Sequence, residues 1–208
     1  MKIKVCGITT IQDAAFLHQQ DVDYAGFIFY PKSPRYVGKE PDPELFSATG
    51  HDVKNVGVFV NSPTGEVIDM ANDFQLDLVQ LHGEETPAYC QEIKSAGIEI
   101  IKAFRVDDNF DPSVSAAFSP CSDYFLFDTK SSNYGGAGKK FNWQILNDIT
   151  SLKPFFLSGG IGPDDAEEIM NLQLPALHAI DINSKFETKP GSKDHQKLQL
   201  FLDKIKHI

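Results

Sequence analysis

No apolar run in the sequence approaches 18 residues, so no segment reads as a helix crossing a bilayer. The opening stretch, MKIKVCGITTIQD, turns polar after a few residues and has no apolar core of a secretion signal. Cysteine is scarce: Cys6, Cys90 and Cys121 are odd in number and include no Cys-x-x-Cys pair, which excludes a disulfide framework and a cysteine zinc site. His18, His51, His178, His195 and His207 are scattered without ligand spacing, so no metal is expected. Blocks of like charge are also absent. The balance is acidic, 19 Lys and Arg against 29 Asp and Glu for a net charge of −10, so neither a nucleic-acid backbone nor an anionic membrane is expected as a partner. These absences point to a soluble protein of the reducing cytoplasm. Any anionic ligand must be bound by local groups, against the overall field.

What is present is an alternation. Short β-branched and aromatic runs at 2–6, 24–29, 55–60, 76–82, 99–106, 123–128, 154–159 and 177–182 predict strands. Helical patterns fall between them. TTIQDAAFLHQQ opens on a Thr cap, SPTGEVIDMANDF on Ser-Pro, and TPAYCQEIKSAG on Thr-Pro with a closing Gly97. FNWQILNDI, GPDDAEEIMNLQ and SKDHQKLQLFLDKIK follow the later strands, and weaker patterns lie near 41–48 and 111–118. Eight alternating units imply a parallel sheet closed into a (β/α)8 barrel, and no Gly-, Ser- or Pro-rich linker divides it, so residues 1–208 read as one domain.

Such a barrel builds its site from the C-terminal ends of its strands, and unusual polar residues collect there. Cys6 ends the first run before Gly7, which leaves room for a ligand to approach; Cys90 and Cys121 read as small buried groups. Asp128 closes the apolar YFLFD, a setting suited to a general acid. In PKSPRYV two X-Pro steps stiffen the loop that carries Arg35, whose planar fork suits a carboxylate. Gly159 and Gly160 in LSGGIGPDD offer bare backbone N–H groups beside a helix start, an anion site, and Asn183 and Ser184 in DINS add donors after the eighth strand. Gln80 and His82 end the fourth strand, and Arg105 the fifth. NYGGAGKKFNW is no P-loop, because Asn133 stands where Gly is needed and Lys140 where Ser or Thr is; it reads as a glycine-rich loop.

Taken together, KVCGIT, GFIFYPKSPRYV, NVGVFVN, VQLHGEE, IKAFRV, FLFDT, GGAGKKFNW, FFLSGGI and KPGSKD resemble, in order, the blocks of the phosphoribosylanthranilate isomerases of tryptophan biosynthesis. The resemblance implies a (β/α)8 barrel carrying out an Amadori rearrangement on a small phosphorylated substrate without cofactor. It implies Cys6 as general base and Asp128 as general acid, and Arg35 on the anthranilate carboxylate with Asp181 near the same ring. Gly159, Gly160, Asn183 and Ser184 would hold the phosphate. Cys6 would act as a thiolate, its pKa lowered by a positive group or N–H dipole. One departure is local: the family's Ser-Ser-Gly-Val run after the eighth strand reads Asn183-Ser184-Lys185-Phe186 here. A histidine-pathway type of isomerase would have an Asp in place of Cys6, and a binding protein without chemistry would have no use for both Cys6 and Asp128. A monomer is expected.

Overall fold

The structure is a computed structural model that describes residues 1–207 apart from 21, 108, 112, 130–141 and 149–152. Eight parallel strands, β1 (Lys2–Cys6), β2 (Tyr24–Ile28), β3 (Lys54–Phe59), β4 (Leu78–Leu81), β5 (Glu99–Val106), β6 (Tyr124–Thr129), β7 (Phe155–Leu157) and β8 (Leu177–Ile182), pair in order, and β8 returns to β1 to close the barrel. Every strand expected from the sequence is present, β1, β5 and β8 with the expected bounds and the others with ends shifted or trimmed.

Side chains alternate across each strand, which sorts them into two sets. One set, among it Tyr24, Val56, Leu78, Ile101, Ala103, Leu126, Phe156 and Ala179, fills the barrel. The other, including Phe27, Val79, Ile100, Phe125, Phe127 and Ile180, packs outward against the helical layer. Two residues beyond Leu78, Leu126 and Ala179 along their strands stand Gln80, Asp128 and Asp181, so the same alternation turns those polar groups inward at the top of the barrel.

The outer layer consists of α1 (Ile11–His18), α2 (Glu44–Ser47), α3 (Thr64–Asp73), α4 (Pro87–Ser95), α5 (Ser113–Ala116), α6 (Ala166–Met170) and α7 (His195–His207). Thr10 caps α1 by accepting from Asp13 N at 3.1 Å, and Thr86 caps α4 by accepting from Tyr89 N at 3.3 Å, while Gly97 leaves α4 at φ +85°. Ser62 does not cap α3, which starts at Thr64 after Pro63 with no side-chain cap. The helix expected at 141–149 is a 3-10 turn over Trp143–Asp148, and the one expected at 162–173 contracts to α6 because Gly162 to Asp165 close a turn first. The glycine-rich loop expected before residue 142 lies outside the described residues. Past β8, a 3-10 turn (Ser184–Phe186) leads into an antiparallel pair, β9 (Glu187–Lys189) and β10 (Ser192–Lys193). No helix among the described residues is long and apolar enough to cross a membrane.

Candidate active site

Lys4 and Cys6 share the inward face of β1. Lys4 is fully buried, and its ammonium donates to Asp181 Oδ1 at 2.9 Å across the β1–β8 pairing, where the two residues are register partners. A charge removed so completely from water persists only when it is paired. Burial lowers the Lys4 pKa, but Asp181 and the Cys6 thiol next to it outweigh that and hold the ammonium above its ordinary range. Cys6 is 5% exposed and sits over Gly26, where an added Cβ would lie 2.7 Å from its sulfur. Burial pushes the Cys6 thiol up; Lys4 opposes this without cancelling it, and Asp181 adds to it. The positive group expected beside Cys6 is therefore Lys4, but the net shift is upward, contrary to the lowered value expected. The resting group is a thiol.

Above this floor lies a cleft open to solvent. It is lined by Cys6, Asp128, Gly159, Gly160, Asp181, Asn183 and Ser184, together with Tyr30 and His82. Burial raises the Asp181 carboxyl, with Lys4 pulling against it. Asp128 faces His82, whose Nε2 is 3.3 Å from Asp128 Oδ2, and His82 Nδ1 is in turn 2.8 Å from Gln80 Nε2.

Arg35 lies to one side. Its loop is folded as the prolines suggest, with Ser33 N donating to Tyr30 O and Arg35 N to Ser33 Oγ. Arg35 is not among the residues lining the cleft, and its fork is closed on Glu187, Nε to Oε1 at 2.9 Å and Nη2 to Oε2 at 2.6 Å. Lys193, itself buried, donates to Glu187 Oε1 at 2.8 Å and to Asn183 Oδ1 at 2.9 Å. Burial works against the charge on Glu187, but the Arg35 and Lys193 hydrogen bonds prevail and hold its carboxyl below the usual range. Gly7 has φ +75°, and a Cβ there would stand 2.6 Å from Arg35 Cδ and 2.8 Å from Asn183 Oδ1. Its bareness thus makes room for Arg35 and Asn183, where the sequence suggested room for a ligand.

At the other end, Gly159 and Gly160 have φ +95° and +73°, the left-handed region that glycine enters without strain. The helix start expected beside them is displaced: α6 begins at Ala166, and Asp165 Oδ2 takes the Gly162 N–H at 2.6 Å. The short 3-10 turn at Ser184 stands in its place, so the loops after β7 and β8 face each other with Gly159, Gly160 and Ser184 on the cleft wall. The stem of Lys185 lies over Gly162, with its Cβ and Cγ 3.9 Å from where a Cβ there would be. Lys4, Glu187 and Lys193 were not singled out as site residues in the sequence, whereas Gln80 and His82 were noted there as polar residues ending the fourth strand.

Known proteins resemble this assembly along its whole length. The family model for N-(5'-phosphoribosyl)anthranilate (PRA) isomerase matches residues 3–204. The N-(5'-phosphoribosyl)anthranilate isomerase of Parabacteroides distasonis is 40% identical over 208 residues, covering 100% of this chain and 94% of the relative. The crystal structure of phosphoribosyl anthranilate isomerase from Thermotoga maritima superposes with a TM-score of 0.87 at 34% identity, covering 100% of both chains. A phosphoribosyl anthranilate isomerase in complex with reduced 1-(o-carboxyphenylamino)-1-deoxyribulose 5-phosphate superposes with a TM-score of 0.83 at 31% identity, again over 100% of both. The chain belongs to the N-(5'-phosphoribosyl)anthranilate isomerase family.

Proposed function

We infer that this protein isomerises N-(5'-phosphoribosyl)anthranilate to 1-(2-carboxyphenylamino)-1-deoxyribulose 5-phosphate in tryptophan biosynthesis, with Cys6 as general base and Asp128 as general acid. The observation that carries the assignment is the meeting of Cys6, Asp128, the glycine pair after β7 and Asn183 and Ser184 after β8 on one cleft inside a barrel of this family. The rearrangement moves oxidation level between adjacent carbons of one molecule, so no external electron carrier is required.

Asp128 protonates the furanose ring oxygen, the ring opens, and the positive charge passes to the anilino nitrogen as an iminium. That cation acidifies the C2 hydrogen and favours an anion next to it. Cys6 as thiolate then removes the proton, with Lys4 stabilising the charge at the sulfur. Ketonisation of the enolamine completes the reaction. Gly159, Gly160, Asn183 and Ser184, all on the cleft wall, hold the phosphate. Arg35, with Nε and Nη2 on Glu187, keeps its Nη1 edge for the anthranilate carboxylate; Asp181 borders the same region and is paired with Lys4. The chain works as one cytoplasmic domain and as a monomer, although a Thermotoga maritima relative is dimeric. Light scattering of the purified protein decides the last point.

Loss of phosphoribosylanthranilate fluorescence on adding the protein tests the activity. Steady turnover supports it; no turnover, with histidine-pathway substrate consumed instead, would move the protein to the other isomerase.

A further inference from the structure

Gln80 and His82 stand two residues apart at the end of β4, both turned toward the cleft. Gln80 is buried, and its carboxamide nitrogen is 2.8 Å from His82 Nδ1. A carboxamide nitrogen only donates, so Nδ1 accepts and the ring proton sits on Nε2, pointing at Asp128 Oδ2 3.3 Å away. The same arrangement leaves Gln80 Oε1 buried without a hydrogen-bond partner, which folded proteins seldom retain. A half-turn of the amide brings Oε1 to Nδ1, where it accepts a hydrogen bond when that nitrogen carries a proton. Gln80 can therefore serve the ring both as neutral imidazole and as imidazolium.

A general acid must hold a proton when the substrate arrives, yet an isolated carboxyl group has lost its own at neutral pH. An imidazole exchanges protons in that range. We propose that His82 is the positioning and proton-supplying partner of Asp128, that one transferable proton is shared between Nε2 and Oδ2, and that Gln80, with its amide turned, accepts from Nδ1–H while the pair holds that proton. The inference rests on Asp128 being the general acid. Held on Nε2 before the substrate arrives, the shared proton moves through Oδ2 to the ring oxygen as the C–O bond breaks, leaving the carboxylate and a neutral imidazole. Cys6 returns at C1 the proton it took from C2, and the proton lost from the C2 hydroxyl group on ketonisation goes back to the pair, so the pair ends a turnover as it began. The other charged or titratable groups around it are Asp181 with Lys4, the Cys6 thiol, and Arg105, register partner of Asp128 and paired with Glu84.

Turnover of the wild-type protein and of Asp128→Asn is measured first, so that failure of the general-acid assignment shows separately. His82→Ala should then lower kcat by about 10- to 100-fold with KM changed less than about threefold. Free imidazole should restore part of the lost rate in a saturable way. His82→Gln, which keeps an N–H donor without an exchangeable proton, should stay close to the alanine variant, and His82→Ala combined with Asp128→Asn should be no slower than Asp128→Asn alone. A wild-type kcat in His82→Ala, or in His82→Gln should the alanine variant not fold, would overturn the proposal. So would full activity in the glutamine variant, an absence of imidazole rescue, or effects that multiply in the double variant.

Discussion

Lys4 and Asp181 are register partners on β1 and β8, and they close a buried ion pair of 2.9 Å directly beneath Cys6. The pair places one ammonium at the reactive sulfur while its own charge is compensated inside the barrel. Removing either partner leaves the other unpaired in a medium that tolerates charge poorly.

Lys4→Met should therefore lower stability by about 3–5 kcal/mol, the cost of breaking a buried pair from one side. It should also push the Cys6 thiol further up, because the ammonium favours the thiolate. Ultraviolet titration of the thiolate, differenced against Cys6→Ala, reads the shift. A titration that moves to lower pH would show that Lys4 does not stabilise the anion.

The raised Cys6 pKa has its own consequence for rate. A base present mainly as thiol becomes competent as it ionises, so kcat/KM should rise with pH above neutrality with a slope approaching one. A flat profile from pH 7 upward would mean that the thiol is already ionised or is not the base.

Asp128→Asn keeps shape and hydrogen bonding but delivers no proton, so ring opening should become limiting and kcat should fall by about 10²–10⁴. Wild-type kcat in this variant would place the acid elsewhere, with Asp181 the first residue to examine.

How much of this was legible beforehand depends on distance along the chain. All eight strands were legible, because each is a short apolar or β-branched run with a turn behind it. Cys6, Asp128 and the two glycines stood out as odd residues at strand ends. Lys4 did not, because a lysine within a strand reads as a solvent-facing position and its partner is 177 residues away. The Arg35–Glu187 pair spans 152 residues and was hidden for the same reason, so the fork on Arg35 read as free for substrate. The displaced start of α6 was obscured by Pro163, a strong first-turn signal that the Gly162–Asp165 turn overrides.

Arg35 and Glu187 yield a prediction about pH as well as binding. Arg35→Lys loses the planar fork and should cost about 1–3 kcal/mol in kcat/KM. Because the folded Glu187 carboxyl lies below its ordinary 4.5, it stabilises the fold above that pH, and the contribution is lost as pH falls through the folded value. Glu187→Gln should thus be destabilised at pH 7, with the deficit narrowing below about pH 4.5. A deficit that widens on acidification in thermal unfolding would contradict this sign.

Lys185 lies over Gly162 at the edge of the proposed phosphate loops and is exposed. Phosphate carries similar charge in substrate and transition state, so an ammonium there acts on binding more than on the chemical step. Lys185→Gly should raise KM by about fivefold or less, with kcat near normal and the difference shrinking at high salt. A collapse of kcat, or a KM effect indifferent to salt, would assign Lys185 a role in shaping the loop.

The most direct measurement pairs turnover with binding in Cys6→Ala. If Cys6 removes the C2 proton, kcat for phosphoribosylanthranilate should fall by about 10²–10⁴, the usual worth of a placed base. Affinity for the reduced product analogue, 1-(o-carboxyphenylamino)-1-deoxyribulose 5-phosphate, should stay within about threefold, because the substitution leaves the phosphate loops and Arg35 untouched. Retained turnover in the alanine variant with normal analogue binding would contradict the account.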